Sequence, residues 1–273
     1  NKFAQTTTND AKGADNVSEL YYAAVRYFRG QDNVPEYTNI PAGQAAKQTD
    51  LFPVITDWIN PVQYQCQRNV AVGIGDTYTH LDRNLPGSTK KDSAPAMPPK
   101  VAADTMVNVE TALGNVFRLE GISKSTTATF NSGGNVNSGF IAGLAYYSHT
   151  KDMQPNMPGM QTLSTYWVDV LPFKVVLRRE DNQYYLATKY GGFDVPAGFD
   201  PDTRVDPLPD ALWTDGDKVG LANQVNEKRP RNFYVAYQAE QMVSGLTRAF
   251  ESAGADRRGA AAGLGTNGAT LEQ

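Results

Sequence analysis

Asn69-Val70-Ala71-Val72-Gly73-Ile74-Gly75-Asp76 is the stretch on which the fold turns. Val70, Ala71, Val72 and Ile74 make an apolar run that stops at Gly75-Asp76. A run apolar on both of its alternating faces suits a strand held between two helical layers. Leu163 to Val170 reads the same way, with Trp167 on one face and Tyr166, Val168 and Val170 on the other, so a central position is expected for it. Phe233 to Tyr237 supplies a third strand, and 125–130 is a candidate fourth.

Helical patterns lie between these strands. Asn16 is placed to cap a helix, with Glu19 as its capping-box partner, Leu20, Ala24, Tyr27 and Phe28 as the apolar stripe and Gly30 as the stop. Residues 101–119 carry Val101, Met106, Val109, Leu113, Val116 and Phe117 at roughly helical spacing. Ser138 can cap a helix holding Phe140, Ile141, Leu144, Ala145 and Tyr147. A short helix is expected over Asn182–Tyr190, ending at Gly191-Gly192. The last helix has Met242, Val243, Leu246 and Phe250 on one stripe, and Gly254 is expected to end it.

Strands alternating with helices predict an α/β fold built on a mainly parallel sheet with long loop insertions. Three firm strands are fewer than a doubly wound sheet usually has, so part of the sheet is expected to lie outside this sequence. Residues 1–15, 31–60, 84–100 and 194–231 read as loops or irregular connections, with 84–100 as a surface excursion. Residues 123–138 read as a loop or weak strand. The expected organisation is one domain over 1–254, lacking an upstream segment, followed by a flexible linker over 255–273 that leads towards an absent C-terminal domain.

Composition is globular, with 40% hydrophobic and 20% charged residues. The net charge of -4 and the lack of any basic stripe argue against a nucleic-acid partner. No apolar run approaches the roughly 20 residues of a membrane-spanning helix. Fourteen tyrosines leave two readings open, exposed partner contacts or half-buried rings around long loops. Cys66 is the one cysteine, so it is either a buried free thiol or bonded to a partner beyond this sequence.

Among the polar residues, Asp76 stands out because ligands of open α/β sheets bind at the carboxyl ends of strands. The alternative is that it accepts backbone N–H bonds in the following turn. Asp76, His80 and Asp82 could converge as metal ligands, though their spacing matches no established site and favours a solvated loop. His149 is expected at the surface or as a favourable charge at a helix C-terminus. Asp200, Asp202, Asp206 and Asp210 fail as a calcium loop, since Val205 stands where a glycine is needed and the closing Glu is missing. Asp215-Gly216-Asp217 reads as a turn. Nucleophile elbow, P-loop and H-E-x-x-H motifs are absent, which argues against an enzyme.

An ordered series of segments resembles PilY-type proteins of type IV pili. It comprises Glu19 to Phe28, Pro61 to Asn69 leading into the first strand, Ser138 to Tyr147 with Thr150-Lys151-Asp152, Gln161 to Val170, Ala187 to Phe193 and the closing helix Ala239 to Phe250. The resemblance implies a von Willebrand factor A-like (Rossmann-like) domain placed before a C-terminal propeller. It implies an exported, non-enzymatic protein at the pilus tip, cell surface, periplasm or outer membrane. Such a protein acts with minor pilins in pilus assembly, and in adhesion to host or abiotic surfaces and their sensing. It also implies that Cys66 forms a disulfide with an upstream cysteine. Asp76 falls where the later Asp of a metal-ion-dependent adhesion site, which holds a divalent cation (Mg or Ca), would stand. No D-x-[ST]-x-[ST] occurs, and Thr77 stands where Gly is common, so that site is incomplete in this sequence. Two other classes stay open: a secreted metal-dependent hydrolase or periplasmic binding protein using the Asp76 loop, and a structural spacer.

Overall fold

The computed structural model describes residues 15–40, 42–43, 53–131, 136–170, 177–222 and 224–265. A three-stranded sheet forms from β1 (Asn69–Gly75), β2 (Leu163–Val170) and β5 (Phe233–Ala236), in the order β1-β2-β5. Both pairings are parallel, with Asn69 opposite Leu163, Gly75 opposite Asp169 and Trp167 opposite Phe233. β2 is the central strand, as its two apolar faces require. Among the described residues β1 is an edge strand instead of one buried on both faces. Its residues are mostly half-buried and Ile74 is 44% exposed.

Alternation divides the core in two. Leu163, Trp167, Phe233 and the half-buried Ala71 and Val235 point to one face and join the larger cluster. On that face lie α1 (Val17–Phe28), α4 (Val109–Glu120), α5 (Phe140–Thr150) and α6 (Gln183–Tyr190), while α2 (Pro35–Thr38) and α3 (Pro99–Ala102) are single turns in the connections. Tyr166, Val168, Tyr234 and Ala236 point the other way, where α7 (Ala239–Gly265) covers them with Met242, Leu246, Ala249 and Ala253. A short antiparallel hairpin, β3 (Lys218–Leu221) with β4 (Gln224–Lys228), lies inside the stretch expected to be irregular.

Several local expectations change for physical reasons. Asn16 does not cap α1 through its side chain; its Nδ2 donates to Glu19 Oε2 at 3.0 Å. The buried face of α1 carries Tyr21, Tyr22 and Val25, together with Glu19 and Arg26, while Leu20 is 70% exposed. Polar residues can occupy that face because each finds a partner: Asn84 N–H for Glu19, and the Asp32 carbonyl and Tyr22 hydroxyl for Arg26. Gly30 does stop the helix, at φ +66. Met106 lies between α3 and α4, and is exposed. Residues 84–100 are no simple surface excursion, since Asn84, Leu85, Ser88 and Asp92 are buried. No strand forms at 125–130. In α7, Val243 and Phe250 are exposed, and the helix runs through Gly254 to Gly265. Residues 1–14 and 266–273 lie outside the described residues.

Tyrosine abundance is explained mostly by the interior. Tyr22, Tyr146, Tyr166, Tyr184, Tyr185 and Tyr190 are among the largest fully buried side chains. Their hydroxyls reach internal acceptors: Tyr184 to Asp76 O at 2.6 Å, Tyr185 to Lys228 O at 2.7 Å and Tyr190 to Glu120 Oε2 at 2.6 Å.

Gly73 is where β1 meets the indole of Trp167. A Cβ there would lie 2.0 Å from the ring. Gly73→Ala is therefore expected to cost about 3 kcal/mol through overpacking. Gly114, inside α4, has only Thr126 Cγ2 at 3.9 Å from its would-be Cβ, so Gly114→Ala should stabilise by about 1 kcal/mol. Urea unfolding of the two variants checks both signs.

Candidate functional site at the carboxyl edge of the sheet

β1 and β2 end side by side, and their last residues set two carboxylates near one another. Asp76 follows β1, and its Oδ1 accepts the Tyr78 N–H at 2.8 Å, closing an Asx turn. The backbone oxygen of Asp76 accepts from the Tyr184 hydroxyl, whose ring stacks on Trp167 with centroids 4.1 Å apart. Asp169 lies opposite Gly75 in the register and is fully buried. Its Oδ2 accepts from Asn182 Nδ2 at 2.8 Å, and its Oδ1 has no hydrogen-bond partner. Burial pushes the Asp169 carboxyl up to about 7, against the Asn182 bond, and the charge of Asp76 adds to the rise. Asn182 holds this arrangement by also capping α6, its Oδ1 accepting from Tyr184 N and Tyr185 N.

The structure thus gives Asp76 its turn-capping role and adds Asp169 as a neighbour. Sequence reading passed over Asp169 because it sits inside an apolar strand. A carboxylate among Trp167, Val168 and Val170 was the signal available.

His80 and Asp82 do not join Asp76. Among the described residues no three His, Cys, Asp or Glu side chains come together as a metal site. The His80 ring lies 3.9 Å from Asp15. Asp82 turns inward, where Oδ1 accepts Ser138 N–H at 2.6 Å and Oδ2 accepts from Ser18 Oγ at 3.0 Å and Thr79 Oγ1 at 3.3 Å. One buried carboxylate thereby ties the starts of α1 and α5 to the loop after β1. Ser138 takes a share in starting α5, its Oγ accepting Phe140 N–H at 3.3 Å.

Other candidates are placed just as plainly. His149 is no surface charge. Nε2 lies 2.7 Å from Phe193 O and Nδ1 3.3 Å from Leu163 O, and burial holds its pKa below the ordinary value. Asp200 closes its own turn with Asp202 N–H and Thr203 Oγ1, while Asp202 pairs with Lys151 and Asp210 with Lys228. Gly216, at φ +88, makes the expected turn, and its neighbours Asp215 and Asp217 pair with Arg231 and Arg229. Cys66 is exposed. It lines a cleft of about 830 Å³ at the opposite, amino edge of the sheet, with Arg68, His149, Asp194 and Arg248.

This geometry offers two adjacent acids at the position where open α/β sheets bind ligands. It offers no nucleophile paired with a histidine, since both ring nitrogens of His149 face backbone carbonyls and His80 faces Asp15. Over its whole length the chain is 46% identical to a protein of Xylella fastidiosa named "Type IV pilus biogenesis factor PilY1 homolog". The chain is homologous to this stretch of a PilY1-type protein. It spans 23% of that protein's length. The PilY-type likeness drawn from the ordered segments therefore holds. No family model matches the chain, and no solved structure does. Among the described residues no helix is long and apolar enough to cross a membrane.

The buried acids carry a pH dependence. Burial pushes Glu19 up to about 7, against hydrogen bonds from Asn16 and Asn84. It likewise pushes Asp82 up to about 6, against bonds from Ser138 and Ser18. Both groups hold protons more tightly in the folded state, so their stabilisation is full at low pH and is lost as pH rises through those values. Thermal melts are expected to show these contributions to Tm being lost from about pH 4 to about pH 7, and Asp82→Asn should flatten the lower part of that slope.

Proposed function

We propose that this chain is a von Willebrand factor A-like module of a pilus-tip protein, exported and working by binding instead of turnover. The 46% identity to the PilY1 homologue along the whole chain carries the reading. The parallel sheet with Asp76 at its carboxyl edge supports the A-type assignment. On this reading the module acts with minor pilins in assembly and contributes to attachment to a host or abiotic surface and to its sensing. Immunogold labelling of sheared pili tests it: label at filament tips is expected, and a cytoplasmic signal would overturn it.

Two site assignments belong to the same reading. Cys66 pairs with a cysteine upstream in the complete polypeptide, and its exposure makes it accessible to one. Peptide mapping of the non-reduced, complete protein should recover Cys66 in a disulfide; recovery as a free thiol would sink the assignment. Asp76 contributes to a divalent cation site. The described residues supply Asp76 and the unpartnered Oδ1 of Asp169, fewer oxygens than the six to eight a calcium ion takes, so the remaining ligands come from elsewhere in the polypeptide. Calorimetric titration of the complete protein with Ca²⁺ or Mg²⁺ should show binding that Asp76→Ala abolishes. An unchanged titration would remove Asp76 from the site.

A further inference from the structure

Helices α4 and α5 cross in backbone contact, and the contact rests on Gly143. A Cβ there would lie 2.5 Å from Leu113 N. Beside this crossing lies a cavity of about 230 Å³. Ala112 and Asn115 of α4 and Tyr147 of α5 line it, and Met106, Val107 and Pro201 add to its walls. It sits by the last turns of α5, whereas the start of that helix is the part tied to Asp82. The cavity is therefore separate from Asp76 and Asp169.

Two of its walls are fixed by the protein itself. The Tyr146 hydroxyl donates to Pro201 O at 2.8 Å, Arg118 Nη2 donates to Asp202 O at 2.9 Å, and Lys151 pairs with Asp202. The Met106 turn is held likewise. Its N–H donates at 2.9 Å to the Asp104 carboxylate, which also accepts from Arg29 at 2.9 Å and from the Tyr22 hydroxyl at 2.7 Å. Walls that are already ordered keep the entropic cost of binding low.

Asn115 is the lining group left over. It is 7% exposed, yet its side-chain amide bonds to no described residue. An amide so nearly buried is costly until something bonds it. It offers an acceptor oxygen and two donor hydrogens, the complement of a peptide group's N–H and C=O. Lys151 and Asp202 are the charged lining residues among those described, and they neutralise one another, so the cavity suits a neutral group. At about 230 Å³ it falls below the roughly 300–1,000 Å³ of pockets for drug-sized ligands, and it takes a single side chain. A sugar fits badly, because its hydroxyls would give up water against Met106, Val107, Ala112 and Pro201 without a partner in exchange.

We infer that this cavity is a docking site for a peptide segment of a partner protein, which seats one large apolar side chain beside the α4–α5 crossing while its main-chain amide pairs with the Asn115 side chain. Saturation-transfer difference NMR on the complete protein tests it, with N-acetyl-phenylalanine N-methylamide as the probe. Transfer to the probe's ring protons is expected. Asn115→Ala should weaken binding about tenfold by removing the paired amide. Thr111→Trp changes an exposed lining residue, leaves the core untouched and should abolish the signal by filling the cavity. No transfer to the unsubstituted protein, or an equal signal in either variant, would overturn the inference. So would transfer to methyl glucoside that Thr111→Trp abolishes, which would make the cavity a sugar site.

Discussion

An indole ring lying on a glycine holds this molecule together. Trp167 projects from the central strand onto β1, and the missing side chain at Gly73 is what lets it lie there. Tyr184 of α6 stacks on the ring, with planes 15° apart. The indole N–H reaches Gly75 O at 3.3 Å, and the Tyr184 hydroxyl reaches Asp76 O. Strand, edge strand and helix are thus fixed by one aromatic pair whose polar atoms end on Gly75, the last residue of β1, and on Asp76, which follows it. The backbone at the carboxyl edge, where Asp76 and Asp169 meet, takes its geometry from that pair.

Around this centre, buried carboxylates serve as connectors. Asp82 receives bonds from three separate stretches of chain, and Glu120 receives Lys189 Nζ and the Tyr190 hydroxyl of α6. Such groups are costly to bury alone, and each is retained with hydrogen-bond donors around it. Asp169, Glu120 and Asp92 each keep one carboxylate oxygen without a hydrogen-bond donor.

The strands were legible as apolar stretches, Val70 to Ile74, Leu163 to Val170 and Phe233 to Tyr237, with Gly75-Asp76 marking where the first one stops. Asn182, Gly191 and Gly30 marked helix ends correctly through capping chemistry. What escaped depended on distant partners. Glu19 and Arg26 occupy the buried face of α1 only because Asn84 and Asp32 meet them, so helical periodicity alone chose the wrong stripe and put Leu20 inside. The hairpin of β3 and β4 is short and polar, and its strands have no apolar alternation to betray them. At the candidate site, Asp76 was legible from its place after a strand, whereas Asp169 and the inward turn of Asp82 follow from register and long-range hydrogen bonds.

The register of β1 on β2 also has a mechanical meaning. Seven consecutive residue pairs, from Asn69 with Leu163 to Gly75 with Asp169, join two strands that point the same way. The chain enters β1 at one end of this ladder and leaves β2 at the other. Tension drawn between those two points acts along the strands and loads the rungs together in shear, instead of peeling them one by one.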